Sequence, residues 1–283
     1  MITRRGGYLA ARSAEQAPAA SSHLEAEGFA LLPGVLDAAG AEALRLAISQ
    51  IYACYPGDRR GSKRSVDEDD MFRYEMLNRS QACQSVVANR QILDVIEPLL
   101  GEDCHVIANT AWRNPPGHAG ANKGQAWHID AGPHIPLPAG TTWPMALPHP
   151  VFAIATHIYL QDCQLEDGPT GVIPRSHLSG QFPPPERPFD PDLRFDDQGV
   201  VPLLARAGDV GLFVSDVWHR RMPAGSEDHG RFFLQVHYGR RDLAQRLRPS
   251  AVANQLSDQA IDAAVEPRLR TLIGLHPPYF YDG

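Results

Sequence analysis

The stretch Gly124-Gln125-Ala126-Trp127-His128-Ile129-Asp130-Ala131-Gly132-Pro133 decides how the rest of the chain is read. In an extended strand successive side chains alternate between faces, so residues two apart share one face. The pattern predicts a strand in which His128 and Asp130 point one way and Trp127 and Ile129 the other. One imidazole beside one carboxylate makes two of the three protein ligands of a facial metal site. Two histidines and a carboxylate with open positions form a set that suits non-haem Fe(II). An H-x-D triplet also occurs at polar strand ends, so the third ligand has to come from elsewhere in the chain.

Composition narrows the field. A chain of 283 residues is compatible with one large domain or two small ones, and its 43% apolar content can build a substantial core. No apolar run reaches the length of a membrane span. The basic start Met1 to Gly7 is not followed by the apolar segment a secretory signal needs. Four scattered cysteines (Cys54, Cys83, Cys104, Cys163), without a C-x-x-C pair, predict reduced thiols in a cytoplasmic protein. The net charge of −7 and the lack of a long basic run argue against a nucleic-acid partner. The cluster Arg59-Arg60-Gly61-Ser62-Lys63-Arg64 is followed at once by Asp67-Glu68-Asp69-Asp70, which predicts a solvated charged loop. Proline (25) and glycine (24) are plentiful, as in a loop-rich β protein.

Taken in order, residues 1–22 read as a loose arm rich in Ala, Ser and Gly. Leu24 to Leu32 mixes a short helix with an apolar run. Asp37 then caps a helix carrying Leu44, Ala47, Ile48 and Ile51 at helical spacing. Met71 to Leu77 turns back toward the core. A second helical region runs from about Gln81 to Leu100, with a break near Pro98 and a stop at Gly101. From Cys104 the character changes to strands: Cys104 to Trp112, the H-x-D segment, Val151 to Leu160, Val200 to Leu204, Val210 to Val214 and Arg231 to Tyr238. Loops at 57–70, 113–124, 133–150 and 180–198 are long enough to serve as binding loops. An amphipathic helix covers about 255–273. Short strands without crossover helices between them predict an antiparallel barrel or jelly roll. The expected organisation is a single domain over 23–283: helical padding over 23–103, a jelly-roll core over about 104–240 and a C-terminal helical segment over 241–283.

The second histidine must lie on a later strand. Of twelve histidines, His219 fits best, at the exit of the strand Val210 to Val214 and beside Trp218. Twelve residues later Arg231 opens the next strand. An arginine at the start of a core-forming strand is costly unless an anion pairs with it. A co-substrate bearing a carboxylate would do so through a bidentate contact.

Together, Trp127-His128-Ile129-Asp130, then Asp167-Gly168-Pro169-Thr170-Gly171-Val172-Ile173-Pro174-Arg175-Ser176-His177, then Trp218-His219 and Arg231 resemble the phytanoyl-CoA dioxygenase family. The resemblance covers about residues 25–240. It implies a double-stranded β-helix with flanking helices, and an oxygenase that uses Fe(II), 2-oxoglutarate and O2 and releases succinate and CO2. It assigns the iron to His128, Asp130 and His219, and the distal carboxylate of 2-oxoglutarate to Arg231. Gln125 and Thr170 match positions that contact the co-substrate in some relatives, and Trp143 is a further candidate there. Arg175 stands where the family often has glycine, a departure in a turn rather than at the metal. Halogenating relatives have a small residue in place of the carboxylate. Asp130 therefore implies hydroxylation, desaturation or ring formation, with hydroxylation of an unactivated C–H bond of a small organic molecule the first expectation.

The remaining histidines divide by position. If Arg231 faces the interior, alternation puts Phe233, Gln235 and His237 there too. His237 then lines the pocket or is a core histidine satisfied by a neighbour; His157 also lies within a strand. His177 is expected to be structural, and His134, His149 and His229 to face solvent. Arg73, Tyr74, Asn109, Trp112 and Arg113 are candidates for reaching the pocket from the N-terminal part. Two other functions share the fold: a Zn(II)-dependent hydrolase or isomerase, which leaves Arg231 without a role, and a non-catalytic binding protein. Either way the partner is a small molecule, with no membrane involved, and the protein a monomer or homodimer.

Overall fold

The computed structural model describes residues 18–55, 71–117, 123–245 and 256–276. The charged loop expected at 57–70 and most of the N-terminal arm lie outside these residues. Helix α1 (Ala19–Glu27) takes up the end of the expected arm. Gly28 terminates it with φ 85°, its N–H donating to the Leu24 carbonyl, and the chain turns straight into β1 (Phe29–Leu32). Helix α2 (Ala38–Cys54) starts where the sequence places it, and the Asp37 side chain accepts from the Gly40 N–H at 2.7 Å.

The helical region 81–100 is divided differently from expectation. Helix α3 (Met76–Arg79) and α4 (Gln81–Val86) precede α5 (Arg90–Leu100). The break falls at Val87 to Asn89, where Asn89 caps the next helix by accepting from the Gln91 N–H at 2.9 Å, and not at Pro98. Pro98 lies inside the last turns of α5, so the helix has little left to continue beyond it. The C-terminal helix is likewise two pieces, α6 (Asp258–Ala263) and α7 (Pro267–Leu272), because Pro267 starts a new helix at its first position.

The strands are β2 (Phe72–Tyr74), β3 (His105–Asn114), β4 (Ala153–Tyr159), β5 (Thr170–Val172), β6 (Val201–Pro202), β7 (Val210–Val214), β8 (His219–Arg221) and β9 (Arg231–Gly239). A six-stranded antiparallel sheet runs β1-β7-β4-β9-β3-β2, and a three-stranded sheet runs β6-β5-β8. This is the jelly roll, or double-stranded β-helix, expected from the pattern of strands, with helices flanking it. The expected strand Val200 to Leu204 is reduced to Val201–Pro202.

Alternation along the large sheet explains the layers. Phe232, Leu234, Val236 and Tyr238 of β9, Ile154 and Ile158 of β4, and Val210 and Leu212 of β7 pack in one cluster with Leu44 and Ile48 of α2 and Ile92 and Ile96 of α5. The helices thus cover the outer face. The inner face carries Arg231, Phe233, Gln235 and His237 and opens on a cavity. Ala155, Val172, Leu203, Phe213 and Val217 form a separate apolar cluster between the sheets. All four cysteines are free. Among the described residues no helix is long and apolar enough to cross a membrane.

Candidate metal centre and cavity

The H-x-D segment is not the full strand its alternation predicts. His128 forms a single antiparallel bridge with His219, their backbones exchanging two hydrogen bonds of 3.0 Å each. Two residues on, the Asp130 N–H donates to the Ser215 carbonyl at 3.0 Å. The segment is held as one added rung beside β8, so His128 and Asp130 still project the same way. Trp127 is anchored on the opposite side, its indole N–H donating to the Asp190 carbonyl at 2.7 Å. That contact ties the 180–198 loop to the segment carrying the histidine and the carboxylate.

One atom from each of His128, Asp130 and His219 lies within 4.8 Å of the others. His128 Nδ1 is 2.8 Å from the Ala126 carbonyl and His219 Nδ1 is 2.9 Å from the Val217 carbonyl. A carbonyl only accepts, so each Nδ1 carries the proton and each Nε2 keeps its lone pair for a metal. His219 Nε2 is 3.4 Å from Asp130 Oδ1. His237 Nε2 lies 3.3 Å from Asp130 Oδ2, an atom otherwise buried without a properly aligned hydrogen bond. Burial pushes the Asp130 carboxyl up, but the fields of His219 and His237 outweigh it and hold it well below the usual carboxylate range. Burial pulls His219 down, and the Asp130 charge and hydrogen bond reverse this, leaving it raised. A buried carboxylate drawing on two imidazoles is a cluster that a divalent cation would satisfy, and the donor set fits iron.

These residues line a cavity of about 580 Å³ together with Gln125, Thr170 and Arg231. Arg231 is 4% exposed, with one Nη2 contact to Asn114 Oδ1 at 3.1 Å and an Nε that has no partner. Burial lowers its pKa from the usual arginine value. Among the described residues no carboxylate lies within 4 Å of it, so the cost foreseen for an arginine at this position is real. Gln125 Oε1 accepts from the Arg221 backbone N–H at 3.3 Å, and Thr170 Oγ1 is 3.4 Å from His157 Nδ1. His157 is buried, and burial with the Arg231 charge keeps it neutral, well below the usual histidine range. Gln235 Nε2 and His237 Nε2 are 2.9 Å apart on the cavity wall.

Other candidates divide. Tyr74, Asn109 and Trp112 reach the cavity lining. Arg73 and Arg113 turn to the outer face, over the Tyr52 ring at 4.4 and 4.2 Å. Trp143 is not among the lining residues; its N–H bonds the Leu178 carbonyl at 2.8 Å and its ring meets His149 edge-on. His177 is structural, as expected, with Nε2 2.9 Å from the Glu25 carbonyl. His229 is exposed, but His149 is buried and His134 is paired with Asp216 at 2.5 Å, against the expectation that both face solvent. The long loop that carries them folds back onto the protein instead of standing free. Sequence reasoning passed over Arg221. It shares a strand face with His219, two residues away, and that spacing was the available signal.

A jelly roll holding two imidazoles and a carboxylate at one cavity defines a class, the non-haem metal oxygenase fold. The model for the phytanoyl-CoA dioxygenase (PhyH) family matches residues 24–230, and the chain belongs to that family. Solved structures agree on the fold. The epimerase SnoN, in complex with Fe3+, alpha ketoglutarate and nogalamycin RO, is 19% identical with a TM-score of 0.61, covering 92% of this chain and 91% of its own. The carbocyclase SnoK from nogalamycin biosynthesis is 19% identical with a TM-score of 0.58, covering 85% and 88%. HygX from Streptomyces hygroscopicus, with nickel, 2-oxoglutarate and hygromycin B bound, is 16% identical with a TM-score of 0.61, covering 83% and 90%.

Proposed function

We propose that this protein is an Fe(II)- and 2-oxoglutarate-dependent oxygenase that hydroxylates an unactivated C–H bond of a small organic molecule, releasing succinate and CO2. The observation that carries the reading is the convergence of His128, Asp130 and His219 within 4.8 Å in a cavity that also holds the buried Arg231. A zinc hydrolase needs no such cation. Iron and co-substrate, when bound, supply activated oxygen for C–H oxidation.

The chain's own residues do the rest. The carbonyls of Ala126 and Val217 fix the two imidazole tautomers, so His128 and His219 present Nε2 to the metal. Asp130 supplies the third ligand and leaves no protein-ligand position vacant for a halide, which favours hydroxylation over halogenation. Arg231 receives the distal carboxylate of 2-oxoglutarate, with Gln125 and Thr170 beside it. Phe213, Phe233 and Trp112 exclude water around that carboxylate, which strengthens its attraction to the guanidinium. Gln235 and His237, further along β9 from Arg231, present hydrogen-bonding groups to a substrate. The same reading takes residues 23–283 as one oxygenase domain, acting as a monomer or homodimer. Among the similar folds are an epimerase and a carbocyclase. Those activities would appear here as products lacking a new oxygen.

The test is succinate formation by purified protein under air with Fe(II), ascorbate and 2-oxoglutarate. Wild type is expected to produce succinate slowly without substrate, and His128→Ala to lose at least 100-fold, on the order of the effect of removing a group essential to catalysis. Equal turnover by the variant would overturn the ligand assignment.

A further inference from the structure

The bridge between His128 and His219 pins the H-x-D segment on one side only. Asp130 lies two residues past it, so whatever holds the chain beyond Asp130 decides how firmly its carboxylate stays beside His219. That hold comes from the turn between β7 and β8. The Val217 N–H closes the turn by donating to the Val214 carbonyl at 2.9 Å. Two carbonyls of the turn serve the candidate ligands. Ser215 accepts from the Asp130 N–H at 3.0 Å, and the Val217 oxygen lies 2.9 Å from His219 Nδ1.

Asp216 stands between those two carbonyls in the chain and is 7% exposed. Both of its oxygens are taken by one residue, His134. Oδ2 accepts from the His134 N–H at 2.9 Å, and Oδ1 lies 2.5 Å from His134 Nδ1. A carboxylate accepts, so Nδ1 donates. The His134 ring is itself fixed, stacked on Phe152 with centroids 4.9 Å apart and planes 5° apart. Gly132 lets the chain approach this closely. It has φ 107°, and a Cβ there would meet the His134 nitrogen at 2.6 Å and Asp216 Oδ1 at 2.9 Å. The segments 128–134 and 215–219 are thus laced together on both sides of Asp130: by the backbone bridge before it and by a two-point contact to a carboxylate after it. Hydrogen bonds to a carboxylate are stronger than neutral ones, and two of them fix orientation as well as distance. Neither His134 nor Asp216 lines the cavity, so any role at the site runs through the backbone they hold.

We propose that Asp216 is a positioning residue of the metal centre, gripped by His134 so that the turn keeps Asp130 and His219 in register for one ion. The inference rests on the ligand assignment made above. It goes beyond that assignment in giving this buried pair, which touches neither metal nor substrate, control over the geometry of two ligands.

The experiment is titration of metal-free protein with Co(II) alone, followed in the visible, where the ion's bands report both occupancy and coordination geometry. Wild type is compared with Asp216→Ala and with His134→Phe, which keeps the backbone N–H and a ring on Phe152 but loses the Nδ1 bond. Each is measured at a temperature where it is folded by circular dichroism. Both are expected to lose about 10- to 100-fold in affinity, with altered bands. Asp216→Asn, which still accepts hydrogen bonds, is expected to lose less than about 5-fold. Gln181→Ala is the control for general loosening of the 133–150 loop, because Gln181 Nε2 donates to the Leu137 carbonyl away from the turn. It is expected to change affinity by less than about 2-fold. Wild-type affinity and bands in folded Asp216→Ala and His134→Phe would overturn the positioning role. An equal loss in Gln181→Ala would do so too, since loop docking in general would then be the cause. If wild type takes up no Co(II), or His128→Ala takes it up equally well, the ligand assignment itself fails and the positioning role falls with it.

Discussion

His177 shows how a single residue ties the site to its support. It is 1% exposed, gives Nε2–H to the Glu25 carbonyl, and burial with the nearby His149 charge pulls its pKa from 6.5 to about 4. The unfolded chain therefore binds a proton between pH 6.5 and 4 that the folded protein refuses. Stability is full above that window and falls as pH drops through it, by roughly 3 kcal/mol for this group. His177→Gln keeps an N–H for Glu25 and cannot titrate. Melting temperature followed from pH 7 to pH 4 is expected to fall less steeply in the variant, and an unchanged slope would remove His177 as a cause. The candidate ligands that the structure brings together were legible at this scale because an H-x-D spacing and a later histidine at a strand boundary are local patterns. His134 and His149 were not, because burial in an irregular loop is decided by what the loop docks on. Here that includes Asp216, far along the chain.

At the scale of elements, the strands with clear alternation or β-branched runs fall where the sequence places them: β4, β7 and β9 keep their expected positions to within a few residues. The helix breaks were misplaced because Asn89 and Pro267, both at helix starts, decide them rather than the conspicuous Pro98. The H-x-D segment reads as a strand but makes one bridge only, His128 with His219, which is enough to set His128 and Asp130 beside His219. The joint between α1 and β1 carries a sharper test. Gly28 sits at φ 85°, and a Cβ there would meet His177 Nδ1 at 2.6 Å and Val217 Cγ2 at 3.0 Å. Val217 provides the carbonyl that orients His219, so the contact presses on the site as well as on the turn. Gly28→Ala is expected to cost about 1–3 kcal/mol in a denaturant melt. A variant as stable as wild type would show that the joint relaxes freely.

The whole molecule sorts its chemistry by layer. Helices cover the outer face of the large sheet, and the inner faces of both sheets collect imidazoles, guanidiniums and one carboxylate in a single cavity. The antiparallel architecture was readable from the lack of crossover helices between strands. The cavity's cationic balance was not, because Arg221 of the small sheet and Arg231 of the large one come to line one cavity only when the two sheets pack together. A net negative chain with this interior suits a buried dianion bound at a metal. The most direct measurement is the visible spectrum of anaerobic Fe(II)-loaded protein during titration with 2-oxoglutarate. A metal-to-ligand charge-transfer band that grows to one equivalent in wild type, and is absent in His219→Ala, is the predicted result. Folded, iron-loaded wild-type protein that develops no band at saturating 2-oxoglutarate would contradict the assignment of this cavity to iron and keto-acid chemistry.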